Sequence, residues 1–165
     1  MEKVEMNKDI KLSEHFTLGE LCKTSHQTAD GNIPSRVVIE NLRNLCENWL
    51  EELRYSYNTL YPDDKPIIIT SGYRSPEVNR LAGGSPTSNH LTGCAVDIHV
   101  SGFEQAIRYA SILLDISDGT KRDYDELYIE RNKAGSHWIH FAVRPSDRSA
   151  TQGDKNRRKS GFLNV

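Results

Sequence analysis

The stretch "SNHLTGCAVDIH", residues 88–99, decides how this chain is read. It sets His90 before Gly93 and Asp97 after it. A loop that turns at the glycine and then enters a strand brings the histidine and the aspartate to one point. On that strand Ala95, Asp97 and His99 share one face, and Val96, Ile98 and Val100 share the other. The second set is wholly apolar and belongs to a core, so Asp97 lies on the opposite face. An aspartate in mid-strand is unfavourable by propensity. A bound cation would explain it, and so would a polar loop leading into a strand.

Working outward, "DELYIER" (125–131) and "HWIHFAV" (137–143) read as two strands joined by "NKAGS", a hairpin signal. Trp138 and His140 share one face of the second strand, with the facing of its other residues left open. Two histidines and a carboxylate, His90, Asp97 and His140, suit zinc with a fourth position free for water. By spacing alone the reading as ordinary polar residues is the stronger one.

Further upstream, "PIIIT" (66–70) is a β-branched run and predicts a buried strand. "SGYRS" (71–75) leaves it, and Ser75 followed by Pro76 reads as the N-cap and first position of a short helix to about Ala82. Val38, Leu42, Leu45, Cys46, Trp49 and Leu53 form one apolar stripe on a long helix that should pack on a sheet, with Ser35 as its N-cap. Thr17 and Glu20 have capping-box spacing in "FTLGELCKT". Phe103–Ile116 predicts a second amphipathic helix. The order predicts an α+β fold, a small and largely antiparallel sheet with helices packed on one side.

The 165 residues, 36% hydrophobic, are enough for one domain with its own core, taken as residues 1–145. A net charge of −2 argues against a nucleic-acid partner. From Arg144 on, six of 22 residues are Lys or Arg and two are acidic, so 146–165 is expected to be a basic, flexible tail. Cys22, Cys46 and Cys94 form no short-spaced pair and read as small buried apolar residues. The N-terminus has no apolar segment of a secretory signal, and no run of about 18 apolar residues would span a membrane. Synthesis in the cytoplasm is therefore expected, and a substrate outside it would require delivery by another agent. A monomer is the default.

"SGYRS", "SNHLTGCAVDI" and "WIHF", in that order, resemble the zinc D-alanyl-D-alanine peptidases, which share their fold with the signalling domain of hedgehog proteins. The family pattern of Ser-x-His, a glycine, Ala-x-Asp and a distant histidine after an aromatic residue is met by Ser88, His90, Gly93, Ala95, Asp97 and His140. The likeness runs from about Phe16 to Val143, and "LSEHFTLGELCKT" is similar to the start of phage-type and bacterial members.

The resemblance implies that His90, Asp97 and His140 bind zinc. It implies that Arg74 pairs with a substrate carboxylate, and that Ser88 hydrogen-bonds substrate or holds the His90 loop. Its substrate would be a peptidoglycan peptide, cut as a carboxypeptidase or as an endopeptidase of the endolysin kind, for instance a phage enzyme released through a holin. Many relatives carry an acid three residues before the last histidine, the proton acceptor for the attacking water. Here that position is His137. Glu130 is the first candidate for the base, on the expectation that the hairpin sets it opposite His140, and His137 is the second, as base or oxyanion donor. The missing acid also leaves room for a zinc-containing, non-catalytic binding module. His15, His26 and His99 are expected at the surface.

Overall fold

The computed structural model describes residues 5–62, 64–145 and 158–165. Side-chain caps start the first two helices. Thr17 and Glu20 close the capping box at the head of α1 (Leu18–Leu21). Ser35 caps α2 (Arg36–Leu45) by accepting from the Val38 amide. A π-helical turn, Cys46–Leu50, then leads directly into α3 (Glu51–Leu60). The expected stripe is buried along this whole rod, and the wider π turn adds Leu50 to it.

Strand β1 (Ile69–Ser71) is followed by α4 (Pro76–Leu81), which starts at the Ser75–Pro76 pair as expected. A 3₁₀ turn, Asn89–Thr92, precedes β2 (Ala95–His99). Helix α5 (Phe103–Thr120) runs one turn beyond the expected Ile116. The hairpin strands are β3 (Tyr124–Arg131) and β4 (His137–Val143), and β5 (Lys159–Asn164) ends the chain.

The sheet order is β1-β2-β4-β3-β5, and every pairing is antiparallel except that of β3 with β5. The fold is thus α+β. One sheet face is apolar: Val96, Ile98, Leu127, Ile129, Ile139, Phe141 and Val143 are all buried on it. The helical rod and α5 lie against that face. Trp49 meets Phe141 edge-on at 5.1 Å, and Tyr109 of α5 meets Tyr57 at 4.9 Å. Each fully buried Leu or Phe of this layer stabilises the fold by about 1.5–3 kcal/mol, so the helix side of the sheet fixes which way the strands face. The polar residues are left on the other side.

Two expectations are corrected. "PIIIT" is not a buried strand: only Ile69 and Thr70 of it join β1, the strand is at the sheet edge, and Ile68 is 46% exposed between buried Ile67 and Ile69. An edge strand is covered on one face only, so alternation survives in a run that looks uniformly apolar. The chain end is not a free tail throughout. Lys159–Asn164 pairs with β3 from Glu126 to Arg131, because backbone hydrogen bonding to an open strand edge asks little of side-chain apolarity. The preceding residues 146–157 lie outside the described residues. The three cysteines are buried as expected, and burial pushes the Cys22 thiol up to about 12, which makes it a poor nucleophile.

Candidate metal centre

The polar sheet face gathers the residues of interest, and two loops deliver the first of them. In "SGYRS" the Gly72 carbonyl accepts from His90 Nδ1 at 2.7 Å. The Tyr73 amide donates to the Leu21 carbonyl at 2.7 Å, and the Arg74 amide donates to the His90 carbonyl at 3.0 Å. Gly72 is glycine because the chain runs hard against α1: a Cβ there would lie 2.2 Å from the Leu21 carbonyl oxygen. His90 is 2% exposed, and with Nδ1 committed to a backbone oxygen, its Nε2 is the nitrogen left to bind something.

Ser88 caps the 3₁₀ turn by accepting from the His90 amide at 3.2 Å. Of the two roles expected for Ser88, holding the His90 loop is the one its contacts display. Gly93 ends the turn at φ +74°, left-handed backbone that a side chain disfavours, and it packs 2.9 Å in Cβ terms from Val38. The chain then enters β2 with Ala95 and Asp97 on the polar side. His99 is exposed, as expected.

Strand β4 lies beside β2 with His140 directly across from Asp97. Asp97 Oδ1 is 3.1 Å from His140 Nδ1 and 3.4 Å from His90 Nε2, and its Oδ2 accepts from Arg74 at 3.1 Å. One donor atom from each of His90, Asp97 and His140 lies within 4.8 Å of the others. A tetrahedral ion at ~2.0–2.1 Å from nitrogen and oxygen donors needs those donors roughly 3.3 Å apart. The measured spacings suit that size, and two imidazoles with one carboxylate suit a borderline-soft divalent ion.

The electrostatics are those of a site built to hold positive charge. Burial pushes the Asp97 carboxyl up, yet the His140 and His90 imidazoles beside it outweigh that and hold the group well below the usual carboxylate range. Burial works to lower the His140 imidazolium, but its bonds to Asp97 and Glu126 prevail and push it up to about 10. Without a metal, the proton on His140 and the Arg74 guanidinium supply the charge that Asp97 requires. A divalent cation would displace that proton.

The centre opens into a cleft of about 730 Å³, walled by the Gly83–Asn89 loop, by Arg74 and by β3. Lys159, Leu163 and Val165 of β5 complete the far wall. Glu130 lines this cleft, and its carboxyl is pushed up by burial, with Asp97 adding to the rise and His140 opposing it. Its Oε2 accepts from Trp138 Nε1 at 2.6 Å. Glu130 is across from Trp138, not from His140, whose partner on β3 is Tyr128; the expected register was off by one row. Trp138 thereby sits beside the centre and steadies Glu130.

His137 is overturned as a base or oxyanion donor. Residues alternate along β4, so His140 and Trp138 face the cleft while His137 falls on the helix side, 5.4 Å from the Phe103 ring of α5. Sequence reasoning also missed Glu126, whose Oε1 is 3.4 Å from His140 Nε2 and accepts from Asn89 at 2.6 Å. Its period-two spacing with Tyr128 and Glu130 in "DELYIER" was the available signal.

Residues 14–124 match the family model described as Peptidase M15. The matched stretch takes in Arg74, Ser88, His90 and Asp97, whereas Glu130 and His140 lie beyond it. A search of the curated proteins finds no match.

Proposed function

The chain belongs to the peptidase M15 family, and from that premise we propose that it is a zinc metallopeptidase that hydrolyses a peptide bond in peptidoglycan stem peptides or cross-links. The observation that carries the reading is the convergence of His90, Asp97 and His140 at the floor of a cleft that also holds Glu130 and Arg74. Bound zinc would polarise the scissile carbonyl and acidify a water. His90 presents Nε2 and His140 presents Nδ1, each with its other nitrogen occupied by an oxygen of the protein. Glu130 accepts the proton of the attacking water and returns it to the leaving amine. Burial raises its affinity for protons above that of an exposed glutamate, which favours taking one up. Trp138 holds the carboxylate while it does so.

Arg74 binds a carboxylate of the stem peptide with its planar fork. Its Nε is already fixed by Ser71 Oγ at 2.9 Å, which aims the guanidinium along the cleft floor.

The test is digestion of purified peptidoglycan with fragment identification by mass spectrometry, with and without a chelator, for the wild type and Glu130→Gln. Chelator-sensitive release of alanine identifies a carboxypeptidase, and release of larger stem or cross-link fragments an endopeptidase. Glu130→Gln is expected to keep zinc and to lose about 10²–10⁴-fold in turnover. Full zinc occupancy with no product from the wild type would refute the reading and leave a zinc-containing binding module.

A further inference from the structure

Strand β3 lines the cleft with three carboxylates: Asp125 pairs with Arg144 at 3.4 Å, and Glu126 and Glu130 differ in their surroundings. Glu130 is held by an indole on the neighbouring strand. Glu126 is tied to both halves of the centre. Its Oε1 accepts from Asn89 Nδ2 at 2.6 Å, and Asn89 immediately precedes His90 in the 3₁₀ turn. The same oxygen lies 3.4 Å from Nε2 of His140, the nitrogen that points away from Asp97.

An imidazole has two nitrogens and, when neutral, one proton. A ring that offers its lone pair at Nδ1 must keep its proton at Nε2, and a carboxylate at Nε2 selects that tautomer and fixes the plane of the ring. His90 solves the same problem in mirror fashion, with Nδ1 given to the Gly72 carbonyl and Nε2 left open. We infer that Glu126, braced by Asn89, is the positioning residue of the metal centre: it holds His140 in the Nε2-protonated form and directs Nδ1 at the cation. The arrangement divides labour along one strand, with Glu126 serving the metal and Glu130 the water. This inference rests on the metal reading above.

One further observation supports it. The ring of Tyr128 stacks on His140 with 21° between planes, so the imidazole is restrained on its face as well as at its edge.

The experiment is an equilibrium competition for zinc ion between a chromophoric chelator and the full-length chain, as wild type, Glu126→Ala, Glu126→Gln, Asn89→Ala and Glu130→Gln. Removing the outer partner of a ligating histidine weakens metal binding by about 10–100-fold, which is the expectation for Glu126→Ala. Glu126→Gln and Asn89→Ala should fall between it and the wild type, and Glu130→Gln should bind as the wild type does. In parallel, the zinc-loaded wild type should show a solvent-protected imidazole proton on Nε2 of His140 by NMR, and Glu126→Gln should lose that protection. If the wild type binds no zinc, the metal reading itself falls. If it binds zinc and both Glu126 variants match its affinity, only the positioning role falls. A Glu126→Gln protein with full zinc affinity and no turnover would make Glu126 the base and overturn the division of labour. Should Glu126→Ala fail to fold, the Gln and Asn89 variants decide between the same outcomes.

Discussion

Replacing Gly72 by alanine tests how the centre is built, because the position touches both the fold and a candidate ligand. A Cβ at residue 72 would sit 2.2 Å from the Leu21 oxygen, 2.9 Å from its carbonyl carbon and 3.1 Å from its Cα. All three are backbone atoms, so no side-chain rotation relieves the contact. The "SGYRS" loop or α1 must retreat by about 1 Å, an overpacking cost of roughly 1–3 kcal/mol. For a chain of this size that lowers the melting temperature by about 2–12 °C, which leaves a folded protein. The same retreat moves the Gly72 carbonyl off His90 Nδ1, now 2.7 Å away, and weakens the Tyr73-to-Leu21 bond. Loss of the outer partner of His90 should weaken zinc binding by about 10–100-fold. The assay is thermal denaturation in chelator, followed by zinc competition at a temperature where the variant is fully native. A Gly72→Ala protein with unchanged melting and unchanged zinc affinity would refute both the close approach and the orienting role of the carbonyl.

Two other outcomes follow from the same geometry. Between the metal-free and unfolded states, His140 has its pKa raised from 6.5 to about 10, so its contribution is fully present below about pH 6.5 and is lost as pH rises through about 10. Metal-free protein should therefore melt at progressively lower temperature across that window, while the stabilisation gained on adding zinc grows as the competing proton leaves. Calorimetry at three pH values checks both signs, and a zinc effect that shrinks with rising pH would contradict the shared use of Nδ1. Arg74→Lys keeps a cation and loses the fork that bonds Ser71 and Asp97, so kcat/KM on carboxylate-bearing peptides should fall at least about tenfold, a loss of ~1.4 kcal/mol. Steady-state kinetics decides it; an unchanged kcat/KM would remove Arg74 from substrate binding.

Features that depend on residues close together in the chain were legible in the sequence. Ser35, Ser75 and the Thr17–Glu20 pair cap helices where their own side chains reach backbone amides three positions on. The stripe from Val38 to Leu53 is the core face of the rod, since a helix repeats its facing every three or four residues whatever it packs on. The alternation in "CAVDIH" placed Asp97 on the polar side because a strand has only two sides. The run "PIIIT" misled because composition does not reveal whether a strand is central or at an edge.

The sequence by itself determined the two candidate ligands that flank Gly93, for seven residues of turn and strand leave them few relative positions. It also determined that β3 and β4 form a hairpin. What tertiary structure decided is the partner of that hairpin and the row in which each residue falls. Pairing of β4 with β2 brings His140 to Asp97 across 43 residues, and the irregularity between Tyr124 and Glu126 sends Tyr124 to the core while Glu126, Tyr128 and Glu130 face the cleft. That register sets Tyr128 against His140, moves Glu130 one row along, and turns His137 to the helices. Addition of β5 to the open edge of β3 then builds a wall of the cleft from residues that look like a solvated tail. The physical reason is common to all of these: facing within one strand follows from its own period, whereas which strands meet, and at what offset, is set by burial of the shared apolar face and by backbone bonds between segments far apart in the chain.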